Sequence, residues 1–216
     1  MGAPSWLRAA ADLVLPVRCV GCGRRAEAFC APCRLAVLDL RLRDVDGLPV
    51  AAAASYEGAV REALLGYKER GRRDLSDPLA WLLALAVRGV AGGLDDPVVV
   101  PMPSTAAASR HRGGDHLHRL ATRAVADYPI VVALGSRGGA DAAELSAAGR
   151  HAARRQAMYA RRGAGELLAG RDVLLVDDIV TTGATLGRAT DIALSLGARR
   201  VRAAVIAETE KQVASR

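Results

Sequence analysis

Residues 173–186 read VLLVDDIVTTGATL: aliphatic residues, two adjacent aspartates, two more aliphatics, then threonines around a glycine. The run VLLV predicts a strand buried on both faces, as in a parallel sheet covered by helices. Two carboxylates at the end of such a strand are costly unless something there uses them. In open parallel sheets, ligands bind beyond the carboxyl ends of the strands, where Asp177 and Asp178 fall. The next residues, Thr181, Thr182, Gly183, Ala184 and Thr185, form a short loop that opens a helix. Its backbone N–H groups and hydroxyls can converge on an anion, and Gly183 permits close approach.

The aspartates repel a phosphate held by that loop, so they need hydroxyls or a metal. A ligand with a phosphate at one end and vicinal hydroxyls a few ångströms away satisfies both halves, and a ribose 5-phosphate is such a ligand. An N-capped helix after a strand explains the threonines but leaves the two carboxylates without a use. The common nucleotide loops G-x-x-x-x-G-K-[ST] and G-x-G-x-x-G do not occur in the chain.

The rest of the composition sets limits. A length of 216 residues and an apolar fraction of 51% suit one sizeable α/β domain with a small appendage. With two Trp, four Tyr and one Phe, the core must be aliphatic. The formal charge of +7 favours polyanionic ligands, although scattered surface arginine gives the same total. At the N-terminus, Arg8, Asp12 and Arg18 interrupt the pattern of a signal peptide, so the segment is read as mature cytoplasmic sequence. Trp6, Ala10 and Val14, with Leu7, Ala11 and Leu15, make an amphipathic helical stripe expected to pack on the protein body. No segment reaches the roughly 20 uninterrupted apolar residues of a membrane span, so no stable insertion is expected.

All four cysteines lie in CVGCGRRAEAFCAPC as two C-x2-C pairs: Cys19, Cys22, Cys30 and Cys33. Four thiolates satisfy tetrahedral zinc, and Gly21 and Gly23 permit the tight turns this needs. Two disulfides or a redox pair are the alternatives, disfavoured in a chain with no export signal. Zinc with no open coordination position is structural, and such sites contribute roughly 10–16 kcal/mol to folding.

Beyond the cysteines, LPVAAAASYEG (48–58) predicts a strand and turn, followed by helices near 57–66 and 75–90 around the polar loop YKERGRRDLSD. Apolar runs at 98–100, 130–134, 173–176 and 201–207 then alternate with helical patterns, the order of a parallel sheet with helices on both faces. From Gly183, residues Leu186, Ala189, Thr190, Ala193 and Leu196 keep helical spacing, and Gly197 stands where a left-handed cap ends the helix. The simplest division is an N-terminal helix and zinc knuckle over 1–45 and an α/β domain over 46–216. His111, His116, His118 and His151 show no metal-like arrangement and are expected on the surface or in loops.

VLLVDDIVTTGAT resembles the signature of type I phosphoribosyltransferases. That resemblance implies an acidic pair, Asp177 and Asp178, on the ribose hydroxyls of phosphoribosyl pyrophosphate (PRPP), and a loop holding its 5-phosphate. The wider chain resembles the ComF family of competence-associated proteins: a four-cysteine knuckle, LLGYKERG, VPMPS, RGGDH and the PRPP loop follow in family order. By this resemblance Pro103, Ser104 and Thr105 form the pyrophosphate-side loop, with Arg110 and Arg112 nearby and Lys68 a further candidate. The family's Phe-Asn-Gln stands here as Gly114-Asp115-His116, and an Asn usual in the family appears as Ala153.

Two roles follow. One is a Mg-dependent transferase that displaces pyrophosphate from PRPP, acting in nucleotide or nucleobase metabolism. The other keeps the ligand cradle in a DNA-uptake component, cytoplasmic or peripheral at the inner membrane face, with single-stranded DNA and uptake proteins as partners. The clusters RHRGGDHLHR and RHAARR agree with phosphate contacts. The scarcity of aromatics argues against ordinary purine salvage and makes any DNA binding mainly electrostatic.

Overall fold

The computed structural model of the chain describes residues 17–104, 115–137 and 158–209. The amphipathic stripe at 6–15, Thr105, Arg110, His111, Arg112, His151 and Ala153 lie outside the described residues.

Within that frame, α1 (Ala31–Ala36) leads to β1 (Arg41–Val45), β2 (Leu48–Ser55), α2 (Gly58–Glu69) and α3 (Ser76–Ala91). Then come β3 (Val98–Pro101), α4 (His116–Ala124), β4 (Leu134–Ser136), β5 (Met158–Ala160) and α5 (Ala164–Leu168). The chain closes with β6 (Asp172–Val180), α6 (Ala184–Ser195) and β7 (Arg200–Glu208). The main sheet has the order β1-β2-β7-β6-β3, parallel except for the antiparallel edge strand β1, and β4 and β5 form a separate antiparallel arm. An α/β fold with a mostly parallel, helix-covered sheet is thus present.

Side-chain alternation along β6 divides the core. Leu174 and Val176 face the layer of α2, α3 and α4, whereas Val173 and Leu175 face α5, α6 and the β4–β5 arm. All four are fully buried, each worth roughly 1.5–3 kcal/mol in apolar burial. On α3, Leu79, Leu82, Leu83, Ala86, Val87 and Val90 recur at helical spacing and are buried. The chain's one phenylalanine, Phe29, is buried from the cysteine segment into this same layer, and Cys19 joins it. The cysteine segment is therefore packed into the core of the sheet's α3 face.

α6 begins after Gly183 and ends as its spacing predicts. The N–H of Gly197 (φ +87°) donates to the Leu194 carbonyl (2.9 Å) and that of Ala198 to the Ala193 carbonyl (3.0 Å), a Schellman cap.

Three sequence expectations change. The strand expected to stop at Val176 continues through both aspartates to Val180, which pairs with Glu208 of β7. Tyr67, Lys68 and Glu69, read as the start of a loop, form the last turn of α2, because Val60, Ala63, Leu64 and Tyr67 keep one buried face to that point. The run at 130–134 supplies only a parallel bridge from Ile130 to Val99 before β4 begins at Leu134.

Among the described residues no helix is long and apolar enough to cross a membrane.

Candidate functional site

At the C-terminal ends of the parallel strands lies a cavity of about 340 Å³. Its walls bring together Asp177, Asp178, Thr181, Gly183 and Thr185 from the β6–α6 passage, Lys68 from α2, and Pro103 and Ser104 after β3. Thr182 and Ala184 belong to the same loop without lining the cavity; the Ala184 N–H donates to Thr182 Oγ1 at 3.4 Å.

Asp178 lies on the face of α2 and α4, where Lys68 Nζ and His116 Nε2 both engage its Oδ2, the histidine at 3.2 Å. Asp178 is 8% exposed and Lys68 is largely buried. Burial pushes the Asp178 carboxyl up, but the Lys68 charge and the His116 hydrogen bond outweigh it and hold the group well below the usual carboxylate range.

His116 is a correction to the sequence reading, which put it on the surface: it is 6% exposed. Asp115 explains why. Its carboxylate caps α4 by accepting from the N–H groups of Leu117 (3.1 Å) and His118 (3.2 Å), which sets His116 at the first helical position. The signal was available, since His116 stands four residues before Leu120 on the stripe that also carries Leu117 and Ala121. The Tyr67 hydroxyl donates to the His116 carbonyl at 3.3 Å, with the rings edge-on at 6.2 Å. His118 is half-buried beside an adjoining cavity of about 320 Å³ that shares Pro103 and Ser104 with the first.

Sequence reasoning also missed Tyr56. It follows β2, its N–H donates to the Glu208 carbonyl at 2.7 Å, and it is among the residues that line the cavity.

Gly183 has a left-handed φ of +80°, and a Cβ there would sit 2.2 Å from Cγ1 of Val45 on β1. Only glycine lets the loop close against that edge strand.

The four cysteine sulfurs lie within 4.8 Å of one another, with Cys19–Cys30 at 3.6 Å and Cys22–Cys30 at 3.8 Å. A zinc tetrahedron with arms of about 2.3 Å has edges of about 3.8 Å, so the cluster fits zinc, whereas a disulfide needs about 2.05 Å. A Cβ on Gly21 would lie 2.9 Å from Cβ and Sγ of Cys33, so the turn closes only around glycine. Burial raises the Cys19 thiol, but backbone N–H groups of Cys22, Cys30 and Gly21 overcome it and bring the pKa down to about 6. Cys33 is pushed up to about 12, chiefly by its hydrogen bond with Cys30 and by burial. Four clustered sulfurs of this kind become thiolates together only around a cation.

Comparison with known proteins bears on this arrangement. Residues 118–215, just under half of the chain, match the family model "Phosphoribosyl transferase domain". That stretch of the chain is similar to the phosphoribosyl transferase domain family. A ribose-phosphate pyrophosphokinase of Saccharolobus solfataricus is 54% identical over 39 residues, 18% of this chain and 13% of that protein. Similar solved structures include an allosteric regulatory enzyme of purine biosynthesis (21% identity, TM-score 0.40, 61% of this chain and 26% of that one). A hypoxanthine phosphoribosyltransferase of Staphylococcus aureus is another (14% identity, TM-score 0.36, 65% and 69%). The chain thus spans a small part of the length of the curated relative.

Proposed function

We propose that the protein binds PRPP, or another ribose 5-phosphate, in the cavity at the end of β6. The observation that carries this reading is that both aspartates and Thr181, Gly183 and Thr185 line one space at the carboxyl edge of the sheet. The loop supplies N–H and hydroxyl donors to a 5-phosphate at the N-terminus of a 12-residue helix. The dipole contributes roughly 0.3–1 kcal/mol, so several hydrogen bonds of about 1.5–3 kcal/mol each carry the affinity. Asp177 and Asp178 accept from the sugar hydroxyls, and Lys68, Pro103 and Ser104, with Thr105, Arg110 and Arg112, serve the pyrophosphate side.

Mg²⁺ accompanies such a ligand and neutralises its pyrophosphate oxygens. Among the described residues the cysteines are the one group of three or more potential ligands, which suits a Mg²⁺ that arrives on the ligand's own oxygens rather than in a protein cage. Zinc at Cys19, Cys22, Cys30 and Cys33 is structural, within a knuckle unit over 1–45 ahead of the 46–216 domain.

In the finer reading the protein is ComF-like and serves DNA uptake in the cytoplasm, at the inner face of the membrane, with single-stranded DNA as partner. The order of the motifs and the basic sequence clusters support it. A second reading, a catalytically active transferase that releases pyrophosphate, is favoured by Tyr56, a ring on which an acceptor base can stack.

Titration of Mg²⁺ and PRPP into the wild type and an Asp177→Ala, Asp178→Ala double variant tests the common core. Binding in the wild type and its loss in the variant are expected; binding that survives both substitutions sinks the assignment. Pyrophosphate release across a nucleobase panel then separates the transferase from the binding component.

A further inference from the structure

His116 has no part in the reading so far, yet it is the buried histidine of the cavity wall. Its position is over-determined. Asp115 caps the helix beneath it, Tyr67 holds its carbonyl, and its ring reaches Asp178. An ionised carboxylate only accepts, so Nε2 carries the proton and donates. Nδ1 is buried without a hydrogen-bond partner, which suits a bare ring nitrogen better than an unpaired N–H.

Lys68 Nζ and His116 Nε2 both engage Oδ2 of Asp178. A carboxylate tied twice through one oxygen cannot rotate freely, and the other oxygen becomes an acceptor of fixed direction. We propose that His116 is a positioning residue: with Lys68 it clamps Oδ2 of Asp178 so that Oδ1 is aimed at a sugar hydroxyl of the bound ligand. This rests on the phosphoribosyl reading of the cavity. Three separated stretches of sequence, Tyr67-Lys68, Asp115-His116 and Asp177-Asp178, are thereby one device. Its essential chemistry is an N–H donor at the 116 position, which a glutamine amide also offers.

The test compares wild type, His116→Gln and His116→Leu for binding of ribose 5-phosphate and of inorganic phosphate, which reports the loop alone. The expected result is a loss of about tenfold or more in ribose 5-phosphate affinity for His116→Leu, the scale of one hydrogen bond to a charged group. Inorganic phosphate should bind all three equally, and His116→Gln should return the sugar phosphate to within about threefold of wild type. Leucine binding the sugar phosphate like wild type overturns the positioning role and leaves the phosphoribosyl reading standing. Equal losses for both ligands also overturn it, because the damage is then general. If the wild type binds neither ribose 5-phosphate nor PRPP, the phosphoribosyl reading fails and takes this inference with it.

Discussion

Asp178 and Lys68 form a pair whose removal is informative in both directions of pH. The folded carboxyl lies below its unfolded value, so the pair contributes stability above the ordinary carboxylate range near 4, and that contribution is lost as pH falls through the folded value. A Lys68→Met variant loses the largest of the interactions that lower the carboxyl, so the group rises toward the ordinary carboxylate range. Chemical denaturation should find that variant about 2–3 kcal/mol less stable than wild type at neutral pH, with the gap narrowing below about pH 4. A gap that does not change with pH would remove Lys68 as the counter-charge. Asp172, at the opposite end of β6, shows what an aspartate does away from a cavity. It is fully buried, and Arg200, Arg199 and the Asp95 N–H take its oxygens, which lowers its pKa. The two ends of one strand thus carry a buried, ion-paired carboxylate and a cavity-lining pair.

At the scale of elements, the cysteine knuckle is tied to α3. Phe29 and Cys19 sit in the core layer that α3 builds, and the Arg34 guanidinium lies 5.3 Å over the Trp81 ring. Removing zinc should therefore lower the thermal midpoint of the whole molecule. Metal analysis is expected to give about one zinc per chain, and a chelator under reducing conditions to broaden and lower the unfolding transition. An unchanged transition would contradict the coupling.

These elements also show what could be read in advance. β2, α3, β7 and α6 with its Gly197 cap follow from periodicity and capping, because each satisfies its own local rule. The β1–β2 hairpin was not read from the sequence, although Asp46-Gly47, both with positive φ, stand between Val45 and Leu48. The extent of β6 was not legible, since two acids after an apolar run look like a strand's end until the pairing with β7 extends it. Of the site, the loop and the acidic pair could be read because they are contiguous. Tyr56 was hidden because it reaches the cavity from a remote stretch of chain, and His116, whose burial its helical stripe could have shown, becomes a neighbour of Asp178 only through tertiary contact.

At the scale of the whole molecule, β7 and β6 are adjacent interior strands of the five, held between β2 and β3. The segment that carries the family match, 118–215, contains these two strands but neither β2 nor β3. It also lacks α3, whose Leu79, Leu82 and Leu83 cover the sheet. Expressed alone, residues 118–216 should give the poorly dispersed amide spectrum of an unfolded chain, while the full chain gives a dispersed one. A well-dispersed spectrum from the fragment would show that the outer strands are dispensable.

The order β1-β2-β7-β6-β3 thus separates two kinds of unit that are easily treated as one. What the family match recognises is a contiguous stretch of chain. What folds is an interleaved object, in which that stretch is enclosed by strands the match leaves unmarked.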